Sequence, residues 1–149
     1  MSRVQLALNV SDVDAAVEFY SRLFGVGPAK RRPGYANFAI DEPALKLVLI
    51  ENGAAPATLN HLGVEVSSSG EVGAAQARLA GEGLATATEE NVSCCYAVQD
   101  KVWVSDPDGA PWEIYTVLAE GDTMGCRTVE PAPGDVAGDV CCAAVSEGC

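Results

Sequence analysis

The chain has 149 residues, 48% of them apolar, which is enough for one compact domain with a real core. Its net charge of −12 argues against nucleic acid, whose phosphates need a basic footprint, and against membrane binding through lysines. No apolar run approaches the roughly 20 residues of a membrane span. The opening MSRVQLALNVSDVD lacks an export signal's apolar core and cleavage pattern, so a cytoplasmic protein with reduced thiols is expected.

In chain order, RVQLALNV reads as a strand. Ser11 is placed as the N-cap of a helix through DVDAAVEFYSRLF, where Val13, Ala16, Val17, Tyr20, Leu23 and Phe24 recur at helical spacing. Gly25 stands where a C-cap glycine belongs. Lys30, Arg31 and Arg32 form the one basic cluster. It reads as a solvated loop or as a local attraction for an anionic substrate group. The strands YANFAI and LKLVLIE follow.

Then the pattern restarts. LNHLGVEV is a strand, SGEVGAAQARLAGEG a helix, and ENVSCCYAV a loop. DKVWVSDPDGAPWEIYTV reads as a hairpin turning at DPDG. A shift of 56 residues lays Val10 on Val66, Ser11 on Ser67, Leu23 on Leu79, Gly25 on Gly81 and Gln5 on His61. The predicted fold is therefore α+β: tandem βαβββ units, about 1–56 and 57–118, forming a curved mixed sheet around a metal cleft. The two units either close one cleft within a chain or pair across a homodimer. Residues 119–149 are rich in Gly, Ala, Pro and Asp and are predicted to be a mobile tail carrying Cys126, Cys141, Cys142 and Cys149.

His61 is the only histidine. Its repeat partner, Gln5, has a carbonyl oxygen able to coordinate a metal. Alternation in PWEIYTV sends Glu113 to the face of Tyr115, opposite Trp112 and Ile114. A carboxylate among apolar neighbours is costly to bury unless it is paired or metal-bound. Gln5, His61 and Glu113 thus make a mixed N/O donor set close to the 2-His-1-carboxylate triad, with open positions for chemistry. In the first unit, Lys46 falls at the position matching Glu113, and a protonated lysine cannot coordinate. The alternative is a buried His–Glu hydrogen bond without metal.

Cys94 and Cys95 are adjacent, too close along the chain for an ordinary disulfide, whose Cα atoms usually lie about 4.4–6.8 Å apart against the roughly 3.8 Å between neighbours. They read equally as two small buried hydrophobes or as a chelator of a soft ion. Tyr96, Trp103 and Tyr115 are either pocket walls or core.

The duplicated units, the Gln5/His61/Glu113 set and the SDPDGAPWEIY ending resemble the vicinal oxygen chelate superfamily of glyoxalases, bleomycin-resistance proteins and extradiol dioxygenases. The stretches VQLALNVSDVDAAVEFYSRLFGVGPAKRRPGYANFAI, LNHLGVEV and SCCYAVQDKVWVSDPDGAPWEIYTV are similar to the organoarsenical carbon–arsenic lyases and their cadmium-induced relatives. That resemblance covers about residues 2–118. It implies an Fe(II)-dependent enzyme that uses O2 as cosubstrate to cleave C–As bonds of trivalent organoarsenicals, releasing arsenite. It also implies metal ligation by Gln5, His61 and Glu113, and substrate binding by Cys94 and Cys95. Against this stand a non-catalytic cadmium- or arsenic-binding detoxification protein, a glyoxalase-type isomerase, which Lys46 disfavours, and a drug-binding resistance module, which would not need the thiol pair. No role is assigned to the tail cysteines.

Overall fold

The computed structural model describes residues 2–124. The elements are β1 (Arg3–Val10), α1 (Val13–Phe24), β2 (Lys30–Arg32), β3 (Tyr35–Ile40), β4 (Leu45–Glu51), β5 (Thr58–Glu65), α2 (Ser69–Gly81), β6 (Ala87–Cys94), β7 (Ala97–Ser105) and β8 (Pro111–Glu120). All eight strands form one mixed sheet in the order β2-β3-β4-β1-β5-β8-β7-β6. Each half contributes the same pattern, with its first strand beside its last. β1 pairs with β4, and β5 with β8, in parallel. The two halves meet where β1 and β5 run antiparallel, with Leu6 opposite Leu62. The expected tandem βαβββ architecture is therefore present, and both units lie within a single chain.

Strand alternation decides what each face holds. In β1, Leu6, Leu8 and Val10 join Val13 and Val17 of α1 over Phe38, Leu47 and Leu49. Fully burying each such side chain stabilises the fold by about 1.5–3 kcal/mol. Gln5, Ala7 and Asn9 point the other way, into the trough of the curled sheet, and all three are buried. Gln5 and Asn9 are therefore held on a platform whose opposite face is the core.

Two local readings change. Asp12, not Ser11, caps α1: its Oδ1 accepts from Asp14 N at 2.9 Å and Ala15 N at 3.0 Å. The buried face begins at Val13, so the cap falls on the residue immediately before it, and Ser11 is one position early. The segment ENVSCCYAV is not an open loop. β6 runs through Cys94, and Cys95 and Tyr96 form a two-residue hairpin turn with φ of 55° and 59°. Positive φ at both central residues is the turn geometry that suits strand twist, usually supplied by Asn-Gly. The expected Gly25 C-cap (φ 69°) and DPDG turn are both present, the latter closed by Gly109 N to Asp106 O.

The basic cluster forms the short strand β2 rather than a loop. β8 pairs with β7 through Glu120. Beyond it, the carbonyls of Thr123 and Met124 accept from Tyr96 N and Cys95 N. Cys126, Cys141, Cys142 and Cys149 lie outside the described residues. No described helix is long and apolar enough to cross a membrane.

The cap assignment yields a direct comparison. Asp12→Ala lowers unfolding free energy by about 1 kcal/mol, whereas Ser11→Ala changes it by less than about 0.5 kcal/mol, both read from urea denaturation.

Candidate functional site

β1, β5 and β8 lie side by side, and each sends one polar residue to the same point of the trough. Gln5 Nε2 is 2.6 Å from Glu113 Oε1 and 3.0 Å from His61 Nε2, and His61 Nε2 is 3.3 Å from Glu113 Oε1. All three residues are buried. The sequence-predicted trio is thus brought together from positions 5, 61 and 113.

The neighbouring hydrogen bonds orient each group. Asn60 Nδ2 donates to Asn9 Oδ1, which turns Asn60 Oδ1 toward His61 Nδ1 at 2.7 Å. With its proton on Nδ1, donated to Asn60 Oδ1, His61 presents the Nε2 lone pair to the trough, the arrangement usual for a metal-bound imidazole. Trp103 packs edge-on against the ring at 5.6 Å. Tyr115 OH donates to Gln5 Oε1 at 2.5 Å.

Lys101, which the sequence reading passed over, is 1% exposed and donates to Glu113 Oε2 at 2.7 Å. Burial pushes the Glu113 carboxyl up. The Lys101 charge leads the opposing effects, with His61 beside the other oxygen, and the carboxyl is held down to about 2. Glu113 is therefore a carboxylate at neutral pH. Burial also pushes the Tyr35 and Tyr115 hydroxyls well up, with Cys95 adding to the effect at Tyr35 and Glu65 at Tyr115. Both phenols stay protonated.

Gly63 makes the approach of Gln5 and Glu113 feasible. A Cβ there would sit 2.9 Å from Glu113 Cγ, 3.0 Å from Glu113 O and 3.4 Å from Gln5 Nε2. A glycine inside a strand is the sequence signal for such a close approach.

The thiol pair sits across the trough. Cys94 Sγ and Cys95 Sγ are 3.2 Å apart, too far for a disulfide and close enough for two bonds to one atom. Two bonds of about 2.3 Å, the length of a zinc–thiolate bond, span that distance when they meet near a right angle. Cys94 is buried against Trp103, while Cys95 is half-buried. A cavity of about 150 Å3 is lined by Cys95 together with Gln5, His61, Glu113 and Tyr115.

The hairpin tip is held from both sides. Lys30 Nζ donates to Tyr96 O at 2.8 Å and ion-pairs with Glu120. Tyr96 packs on Tyr35, with Arg32 over its ring. Of the three aromatics read as either pocket walls or core, Tyr115 lines the cavity, Tyr96 caps the hairpin, and Trp103 backs His61 and Cys94. Lys46 also lines the cavity and lies 3.6 Å from Glu65.

Residues 3–114 match the Glyoxalase/Bleomycin resistance protein/Dioxygenase superfamily. The chain belongs to this superfamily. It is 63% identical over 125 residues to the trivalent organoarsenical cleaving enzyme of Thermomonospora curvata, covering 83% of each chain. It is 58% identical over 142 residues to the cadmium-induced protein CadI of Mycobacterium tuberculosis, covering 95% of this chain and 93% of that one. Among solved structures it matches the Mn(II)-bound glyoxalase of Novosphingobium aromaticivorans, with a TM-score of 0.58 and 24% identity. That match covers 83% of this chain and 42% of the glyoxalase, and it is a likeness of fold.

The donor set fits a divalent ion. Three ligands on adjacent octahedral positions at about 2.1 Å lie roughly 3 Å apart, and the three side chains meet at 2.6–3.3 Å. Among the described residues no three His, Cys, Asp or Glu side chains gather at one point. Gln5 is the side chain that meets His61 and Glu113 there and could serve as a third protein donor. Amide oxygen and nitrogen occupy near-equivalent places. With the Gln5 amide turned, Oε1 would face His61 and Glu113 and could hold the ion, and Nε2 would then donate to Tyr115 OH.

Two substitutions test the site. Gly63→Ala pushes Glu113 and Gln5 apart and weakens Co(II) binding at least about tenfold in spectrophotometric titration, with far-UV circular dichroism retained. Lys101→Met leaves the carboxylate buried without its cation. It costs about 3 kcal/mol in metal-free urea unfolding, and saturating Co(II) restores part of that loss.

Proposed function

We propose that this chain cleaves the carbon–arsenic bond of trivalent organoarsenicals, using Fe(II) held by Gln5, His61 and Glu113 and O2 as cosubstrate. The observation that carries this reading is the 3.2 Å Cys94–Cys95 pair, with Cys95 opening onto the cavity of the Gln5–His61–Glu113 trio. The relatives named for organoarsenical cleavage support it.

Trivalent arsenic is soft and prefers thiolates, while the N/O trio suits a harder redox ion. The two sites thus divide the labour by chemical class. In R–As(OH)2, both hydroxyls exchange for thiols and leave as water, while the As–C bond is untouched. Once one thiol has bound, the second substitution is effectively intramolecular. A pentavalent arsenical cannot exchange in this way without prior reduction, so the pair selects the trivalent state.

When bound, Fe(II) supplies the one-electron chemistry that lets O2 react with the organic group. The reaction needs no further reductant. Methylarsonous acid, CH3As(OH)2, plus O2 balances to formaldehyde plus arsenous acid, As(OH)3. Arsenic remains trivalent, the methyl carbon is oxidised, and O2 takes the electrons. Around the cavity, Lys101 keeps Glu113 ionised, Asn60 keeps the His61 lone pair aimed inward, and the Tyr96 cap and Tyr35 limit water at the hairpin tip. A reaction that needs reduced thiols fits a cytoplasmic setting.

The cadmium-induced relative supports a second reading, a thiol protein that sequesters cadmium or arsenic without turnover. Arsenic speciation separates the two. Reduced, Fe(II)-loaded protein incubated with methylarsonous acid forms arsenite in air and none under argon. Glu113→Ala and Cys95→Ser each lower the rate at least about a hundredfold. Stoichiometric binding with no arsenite in air establishes sequestration instead.

A further inference from the structure

Three buried side-chain atoms have no hydrogen-bond partner among the described residues: Arg3 Nη1, Glu65 Oε2 and Gln99 Oε1. The first two belong to residues already ion-paired with each other, Arg3 Nε lying 3.6 Å from Glu65 Oε2. Gln99 differs. It is 6% exposed, lines the cavity with Cys95, and donates from Nε2 to Cys94 O at 3.2 Å. That bond fixes the amide, because a flip would set two acceptors against each other. Oε1 is thereby left as an acceptor with no donor among the described residues. The strand register shifts against β8 between Val98 and Gln99, and such irregularities commonly re-aim a side chain beside a site.

A buried acceptor left unmet costs free energy, which is recovered when a donor arrives. A ligand entering the cavity can bring that donor, and R–As(OH)2 carries two hydroxyl donors. The two thiols are also unequal: Cys95 faces the cavity and Cys94 is buried behind it. We propose that Gln99 is a substrate-positioning residue, whose Oε1 accepts a hydrogen bond from the arsenic hydroxyl that remains after Cys95 has bound. This rests on the functional reading above and adds an order of events to it. Cys95–SH displaces one hydroxyl as water, giving R–As(OH)–S–Cys95. Gln99 holds the second hydroxyl toward the Cys94 side. The Cys94 thiol then displaces that hydroxyl, its own proton completing the second water. No oxidant or reductant is needed in either step.

Trp103 packs against Cys94, so its fluorescence reports closure of the chelate. The probe is phenylarsine oxide, in excess over all six cysteines of the full chain, followed by stopped-flow in the metal-free protein. Cd(II), which takes thiolates but brings no arsenic hydroxyl, is the companion probe. Gln99→Met conserves volume and removes the acceptor. The expected result is roughly tenfold slower closure with phenylarsine oxide, the size of one lost hydrogen bond, and unchanged Cd(II) affinity. Equal closure rates in the two proteins overturn the proposal. A parallel loss of Cd(II) affinity also overturns it, because Gln99 then serves only to hold the hairpin through Cys94 O. If the unaltered protein binds Cd(II) but gives no response to phenylarsine oxide, the organoarsenical reading itself fails, and this inference with it.

Discussion

The Glu113 carboxylate is the group around which the trough is organised. It is 3% exposed, and an isolated charge so placed would be very costly. Lys101 balances it on one oxygen, and Gln5 and His61 converge on the other. Each partner arrives on a different strand. Their meeting therefore requires β1, β5, β7 and β8 to be in register at once, and Gly63 to leave room between Gln5 and Glu113. A partly satisfied network of this kind is worse than an apolar core, so it specifies one arrangement of the sheet. It also leaves a ready anionic ligand beside an imidazole lone pair.

The cysteine hairpin solves a different problem. Two adjacent thiols on an extended strand would point to opposite faces. Ending β6 at Cys94 and placing Cys95 in the left-handed region brings the sulfurs to 3.2 Å. Non-glycine residues at positive φ are disfavoured and persist only when their surroundings over-determine them. Here the surroundings are Lys30 and Tyr35 from the first unit and the backbone of residues 121–124, which follows β8. A Cβ on Gly121 would lie 3.0 Å from Ala97 N, so a larger residue there would push residues 121–124 and the turn apart by a few tenths of an ångström. The basic cluster thus contributes a clasp: Lys30 holds the turn in place.

Much of the fold was legible because the repeated βαβββ units are written in local signals: period-two strands, helical spacing, caps and the DPDG turn. The register between halves has no local signal, yet the repeat shift pointed to it by laying Gln5 on His61. Glu113 was legible as a carboxylate stranded on an apolar strand. Lys101 and Gln99 were not, because a polar residue in a hairpin strand reads as solvent-facing until the neighbouring strands are known. Ser11 and the cysteine loop were misread where a one-residue shift or a non-glycine turn defeated a propensity rule.

The sequence by itself determined the tandem units, the strand faces and the chemical types of the donors, since these follow from side-chain periodicity and residue identity. Only the tertiary structure decided that the first strand of each unit lies against the last strand of that unit and the first strand of the other. That pairing moves residues 56 and 108 positions apart to within 3.0 and 2.6 Å. It also brings Cys95, with Cys94 behind it, to the cavity those residues line. The reason is physical: propensity acts over a few residues. The position of a buried charge is settled by the whole sheet, which must supply its partners all at once.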